Sequence, residues 1–244
     1  MDESKNTYLI PASIVVAGVL IAFAVLYTGG VGLTGSRYAL TGDEEGKKED
    51  EGAGEAAKVR LPDRTDRILG NPEAPVQIVE FSDLECPFCK QFHVTMKQIM
   101  EEYGKDGKVA WIYRHLPLET LHPKAIKESE AAECAFELGG NEKFWAYVDR
   151  VFEVTPSNNG LPFEDLPKIA EHVGLDRKMF SECLASGRHV PRIRSDIEDA
   201  AKAGARGTPY SVVIVEGKTF HPVGGALPFA QMKTIVEQAL KGSL

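Results

Sequence analysis

Two spacings of apolar residues divide this chain. Residues 76–81 and 109–113 are short apolar runs bounded by turn-forming residues, and they read as buried strands. Between them Phe88, Phe92, Met96, Ile99 and Tyr103 recur at three- and four-residue intervals, and Gly104 follows. That is the period of a helix with one apolar face, ended by a glycine. Strand, helix and strand over this length make a βαβ unit with parallel strands. Helical spacing then continues through 125–139, 142–152, 166–173, 178–185 and 193–204. Residues 211–215 and 219–223, separated by Glu216-Gly217-Lys218, read as a β-hairpin, and 227–240 as a closing amphipathic helix. The order predicts an α/β fold, βαβ … ββα, with an α-helical insertion over about 119–204.

The N-terminal part has a different pattern. Residues 8–27 form an uncharged apolar run. At 1.5 Å per residue, about 20 residues match a bilayer core of ~30 Å, so the run is expected to be a single transmembrane helix. A cleaved signal peptide is the alternative; its apolar region is usually shorter and ends in an Ala-x-Ala-like site, which Thr28-Gly29-Gly30 does not supply. Gly30-Val31-Gly32-Leu33-Thr34-Gly35 matches the dinucleotide fingerprint in letters only. It follows the apolar span and leads into a Gly, Glu, Asp and Lys tract rather than opening a helix after a strand. The expected organisation is an anchor over 1–34, a disordered acidic linker over 35–60, and a folded domain over 61–244.

Charge refines this picture. The formal net charge of −8 argues against a nucleic-acid binder, which needs basic patches. Half of it comes from residues 35–55, where seven acids face Arg37, Lys47 and Lys48. The folded part is therefore only mildly acidic, and its charge does not select a substrate.

The chemistry is concentrated after the first strand, in Ser82-Asp83-Leu84-Glu85-Cys86-Pro87-Phe88-Cys89. Pro87 suits the first helical position, where a missing N–H is no loss. Cys86 then sits at the helix N-terminus, where unpaired N–H groups and the macrodipole favour an anion, and its pKa should fall. Cys89, one turn inside, is placed to attack a mixed disulfide on Cys86. The pair reads as a dithiol redox centre. Half a zinc site is one alternative, but Cys134 and Cys183 supply no second ligand pair. A structural bridge is another, and it would close almost no loop.

From about Leu69 onward the residues resemble the DsbA-like thiol–disulfide oxidoreductases of the thioredoxin superfamily. The resemblance is carried by Gly70-Asn71-Pro72-Glu73-Ala74-Pro75-Val76, by Val79-Glu80-Phe81-Ser82-Asp83 before Cys86-Pro87-Phe88-Cys89, and by Tyr113-Arg114-His115-Leu116-Pro117-Leu118. Ala132-Glu133-Cys134-Ala135, Phe144-Trp145, Gly207-Thr208-Pro209 and Val223-Gly224-Gly225-Ala226 follow in the same order. The resemblance implies a thioredoxin-like fold with an inserted helical domain, acting on protein thiols outside the cytoplasm. It implies Cys86 as nucleophile and Cys89 as resolving cysteine, with Pro87 and Phe88 completing the active-site motif. Thr208 and Pro209 would form the cis-proline loop that meets an extended substrate, an ordinary trans turn being the alternative. It also implies a structural disulfide between Cys134 and Cys183, against two buried free thiols. Strongly oxidising members carry His where this chain has Phe88.

Glu80 interrupts an apolar strand six residues before Cys86. Buried beneath the site, it would have a raised pKa and could relay a proton to Cys89; a water-facing strand end is the other reading. His93 reads as a surface residue, and Trp111, Phe144 and Trp145 as core aromatics. Together these readings predict a membrane-tethered thiol–disulfide oxidoreductase that promotes disulfide formation. A reductase or isomerase, or a non-redox peptide-binding module, are the alternatives. The expected partners are cysteine-containing protein substrates and a membrane partner that reoxidises the pair. No nucleic acid, metal or other cofactor is implied. The catalytic domain is expected on the extracytoplasmic side of the cell membrane.

Overall fold

The computed structural model describes residues 54–244. The expected span at 8–27, the glycine-rich segment after it and most of the acidic tether lie outside the described residues. Among the described residues no helix is long and apolar enough to cross a membrane.

Strands β1 (Arg67–Gly70), β2 (Val76–Ser82), β3 (Val109–His115), β4 (Tyr210–Val215) and β5 (Thr219–Gly224) form one sheet in the order β1-β3-β2-β4-β5. β2 and β3 run parallel, with Glu80 beside Tyr113, and every other neighbouring pair is antiparallel. Helix α1 (Pro87–Ile99) connects the two parallel strands and runs on into a π turn, Met100–Gly104. Helices α2 (Ala125–Val154), α3 (Leu166–His172), α4 (Arg177–Ser186) and α5 (Val190–Lys202) come between β3 and β4, and α6 (Phe229–Leu240) follows β5.

The two-residue period of the strands sorts their side chains onto two faces. Val76 and Ile78 of β2 and Val109, Trp111 and Tyr113 of β3 join Phe92, Met96 and Ile99 of α1 and Met232 and Val236 of α6 in one core. Val79 and Phe81, with Ala110, Ile112, Val212 and Ile214, join Ala200 and Ala203 in the other. Glu80 has the parity of Val76 and Ile78, so it points toward α1. Phe92, Met96 and Ile99 are fully buried. At roughly 1.5–3 kcal/mol each, they hold α1 firmly on the sheet and so fix where its N-terminus lies.

The structure differs from the sequence reading in four places. Strand β1 was not foreseen: it is four residues long, begins with an arginine and lies at a sheet edge. The Asn141 amide satisfies it by accepting the Ile68 N–H at 3.2 Å and donating to the Ile68 carbonyl. The packed body starts before Leu61, because Ala56 and Val59 are buried against the second core. The two helices expected at 125–152 join as α2, broken inside at Gly140, whose φ of 69° and ψ of −163° suit glycine alone. His93 is buried rather than exposed, because α1 presses it against Trp111 and Phe152, where Asp149 Oδ1 lies 2.7 Å from its Nε2.

Buried charges tie the layers together. The Arg114 guanidinium, fully buried, donates to both Asp66 oxygens at 3.1 and 2.9 Å and to Asp199 of α5 at 2.5 Å. Arg67 of β1 pairs with Glu133 of α2, which also meets His115 at 3.0 Å. Removing one member of such a set strands a charge in the interior, at a cost of about 3–5 kcal/mol.

Cys134 of α2 and Cys183 of α4 are joined in a disulfide, their Cα atoms 5.9 Å apart and 49 positions apart in sequence. Closing a loop of that size stabilises by roughly 4 kcal/mol on chain-entropy reasoning. Replacing both cysteines by alanine is therefore expected to lower the melting temperature much more than replacing Cys86 and Cys89 by serine. Calorimetry of the two double variants compares them directly, and equal melting temperatures would contradict the assignment.

Candidate active site

The site begins where β2 ends. After Ser82 the chain turns at Asp83, whose carbonyl accepts the Cys86 N–H at 3.1 Å. Cys86 is the last extended residue before α1, with φ −79° and ψ 122°, and Pro87 opens the helix. Its sulfur therefore lies at the helix end, beside the N–H groups of Phe88 and Cys89. Cys89 is fully buried, and the Asp83 N–H donates to its sulfur at 3.4 Å. Phe88 projects outward, 60% exposed, next to the reactive pair. From the far end of the chain the loop before β4 arrives with a cis Thr208–Pro209 bond, and the Thr208 carbonyl stands 3.6 Å from Cys86 Sγ. The Pro209 carbonyl is already taken by the Gly225 N–H at 2.9 Å.

The two thiols are electrostatically unlike. The hydrogen bond from the Cys89 thiol, then the Thr208 side-chain hydroxyl and the N–H groups of Cys89 and Phe88, draw the Cys86 pKa down from 9.0 to about 6 against the effect of burial. Burial, together with the neighbouring Cys86 and Glu80, pushes Cys89 well above its ordinary value. Cys86 is thus a thiolate at neutral pH while Cys89 keeps its proton, as a nucleophile and a resolving thiol require.

Glu80 lies beneath the pair, 1% exposed. Burial raises its pKa from 4.5 to about 7, although Trp111 Nε1 donates to its Oε2 at 2.8 Å. Among the described residues its Oε1 has no hydrogen-bond partner. A carboxyl group that titrates near neutrality beside Cys89 can hold or release a proton there. Trp111 is the core aromatic that the pattern predicts and also the donor that orients this acid.

A set of polar side chains that no sequence motif marks surrounds the same turn. Asp83, Glu85 and Glu128 are all fully buried. Asp83 Oδ1 accepts the Glu85 N–H at 2.8 Å, and its Oδ2 accepts the Leu118 N–H at 2.8 Å and lies 2.9 Å from His122 Nδ1. Glu85 receives the Asn159 N–H on its carboxylate and the Asn158 N–H on its carbonyl. Ser157, Asn158 and Asn159 turn these groups inward in three successive left-handed conformations, φ 63°, 52° and 65°. Burial, then Glu85, pushes Glu128 up to about 10, so it remains protonated. The acidic letters of Asp83 and Glu85 are visible in the motif, but their partners Leu118, His122 and Asn159 come from segments 35 to 74 residues away.

Comparisons with known proteins agree with this geometry. The sequence model of the family described as thioredoxin matches residues 63–238. Alpha-DsbA1 from Wolbachia pipientis superposes with a TM-score of 0.67 at 23% identity, over 77% of this chain and 97% of that one. DsbA2 from Pseudomonas aeruginosa gives 0.63 at 27% identity, over 76% and 99%. In sequence, the Na(+)/H(+) antiporter NhaA 3 of Salinispora tropica is 37% identical over 164 residues, which is 66% of this chain and 23% of that protein. The chain thus spans about a quarter of the length of the curated relatives it matches. It belongs to the thioredoxin family. Its Cys86–Cys89 pair rides on the fold that it shares with the DsbA structures.

The opposite shifts predict a redox-dependent pH profile of stability. With its folded pKa lowered, Cys86 contributes stability that is present above pH 9 and is lost as pH falls through about 6. Glu80, with its folded pKa raised, contributes stability that is present below about pH 4.5 and is lost as pH rises through about 7. Only the reduced protein carries the Cys86 contribution. The stability of reduced relative to oxidised protein should therefore rise between pH 6 and 9, as followed by denaturant unfolding. A difference that stayed constant over that range would contradict the assignment.

Proposed function

We propose that the protein is a membrane-tethered oxidoreductase that introduces disulfides into proteins outside the cytoplasm. The observation that carries the reading is the asymmetry of the pair. Cys86, at the helix end, has a lowered pKa, and Cys89 is a buried thiol beside Glu80 whose pKa is raised. In the oxidised enzyme a substrate thiolate attacks Cys86 Sγ and forms a mixed disulfide. The Cys86–Cys89 bond breaks, its electron pair passes to Cys89, and Cys89 takes a proton that Glu80 can deliver. A second substrate thiolate attacks the substrate sulfur, and Cys86 departs as a thiolate. Two substrate thiols have lost two electrons and two protons, and the enzyme dithiol has gained the electrons. A membrane redox partner then accepts them.

The direction follows from what stabilises the reduced form. A favoured thiolate makes a disulfide more oxidising. A Cys86 pKa of about 6 lies between the roughly 7 of thioredoxin and the roughly 3.5 of DsbA. It supports a potential between about −270 and −120 mV, which equilibrium with glutathione would measure. The cis Thr208–Pro209 loop beside Cys86 supports protein thiols as substrates, since an extended segment can lie along it. Ion exchange, the activity named for the antiporter relatives, belongs to proteins of which this chain spans about a quarter, whereas the site on this chain's own residues is a dithiol.

The roles of the two cysteines predict unequal variants. Cys89→Ser should accumulate mixed disulfides with other proteins through Cys86, because the resolving thiol is gone. Cys86→Ser should trap nothing and be inactive. Non-reducing gels followed by peptide mapping read out both, and the reverse pattern would sink the nucleophile assignment.

The tether rests on the uncharged run at 8–27 and the acidic tract after it. Mass spectrometry of the protein isolated from membranes should find the N-terminus intact ahead of that run. A new N-terminus between Thr28 and Lys58 would make the run a cleaved signal.

A further inference from the structure

We propose that His122 is the positive partner of the Cys86 thiolate and that Asp83 holds its imidazole for that role. The position before the second cysteine carries Phe88, an exposed ring without charge, so the active-site motif supplies no cation of its own. His122 comes from the loop between β3 and α2 and is 6% exposed. Its Nδ1 lies 2.9 Å from Asp83 Oδ2, which orients the ring and leaves Nε2 as the atom that gains or loses a proton. Asp83 is also the residue whose main chain binds both cysteines, the Cys86 N–H at 3.1 Å and the Cys89 sulfur at 3.4 Å. The imidazole and the main chain that carries Cys86 are thus anchored to one buried residue.

Among the described residues, the lysines near the turn direct their amines elsewhere. Lys90 of α1 directs its amine to the Thr155 carbonyl at 2.7 Å. Lys124, two residues beyond His122, directs its amine to the Leu161 carbonyl at 2.8 Å. Glu85 lies on the active-site segment and Glu128 faces it from α2; Glu128 stays protonated and adds no negative charge. Asp83 holds both cysteines through its main chain, and an imidazolium paired with its carboxylate offsets a negative charge that would otherwise oppose the thiolate. The balance at His122 agrees. Burial works against its charged form, but the hydrogen bond and charge of Asp83, followed by the charge of Cys86, raise its pKa above 6.5.

This inference rests on Cys86 being the thiolate, and linkage supplies its test. If the two charges interact, the thiolate raises the His122 pKa by as much as His122 lowers that of Cys86. In the wild-type protein, NMR titration of the imidazole should give a higher His122 pKa in the reduced than in the oxidised state. In His122→Gln the Cys86 pKa, read from thiolate absorbance, should rise by the same amount. A charge interaction that shifts the Cys86 pKa by about one unit should lower the thiolate fraction at a pH below the pKa about tenfold. Equal His122 pKa values in the two redox states would overturn the proposal. So would a His122→Gln protein that melts earlier while its Cys86 pKa is unchanged, since that is a structural role only. The wild-type titration decides the matter even if the variant does not fold. A reversed trapping pattern with a redox-sensitive His122 would instead remove the nucleophile assignment and leave the ion pair.

Discussion

The turn at Asp83 is the constraint on which the active site depends. Its main chain binds one cysteine through an N–H and the sulfur of the other, and its carboxylate gathers Glu85, Leu118 and His122. A buried carboxylate is costly unless its oxygens are satisfied, and here both are. Because three segments meet on one residue, the thiols are placed to within a hydrogen bond's length. Moving β2, α1 or the loop after β3 would break one of those bonds, so the redox pair inherits the rigidity of the sheet.

Around that turn the interior separates charge from proton. Glu80 beneath Cys89 and Glu128 beside Glu85 are both pushed up by burial, to about 7 and about 10. On the other face, Asp66 and Glu133 are held down, because the hydrogen bonds and charges of Arg114 and Arg60, and of His115 and Arg67, overcome burial. The structural carboxylates stay ionised and paired. Glu128 keeps its proton at neutral pH, and Glu80 titrates there, beside the thiol where disulfide exchange needs a proton to be given and taken back.

The helical insertion is part of the site. Its disulfide ties α2 to α4. The left-handed turn at 157–159, after α2, brings Asn158 and Asn159 over Glu85, and α2 itself contributes Glu128. The sheet holds the cysteines and the proline loop, and the insertion closes the polar side of the pocket. Phe88, exposed, and the loop at Thr208 stand beside Cys86 at the open edge.

Much of this was legible in the chain itself. The apolar rhythm alone separates β2, α1, β3, the helices of the insertion, the hairpin and the last helix, because strands and helices repeat with periods of about 2 and 3.6 and are bounded by glycine and proline. The Cys-Pro-Phe-Cys run implies its own helix-end chemistry, since Pro87 starts a helix and the dipole acts within one turn. Even the direction of Glu80 follows from its parity with Val76 and Ile78. What the sequence could not determine are the contacts between distant segments. β1 has too few residues to show a period, and Asn141 satisfies its edge. His93 looks like a surface residue until Asp149 arrives from another helix. Asp83, Glu85, His122 and Glu128 are ordinary polar letters, and only when the chain closes over them does burial shift their protons and make them partners of the thiols. Local spacing determined the elements and the redox pair; long-range burial, which has no local signature, decided the charges around it.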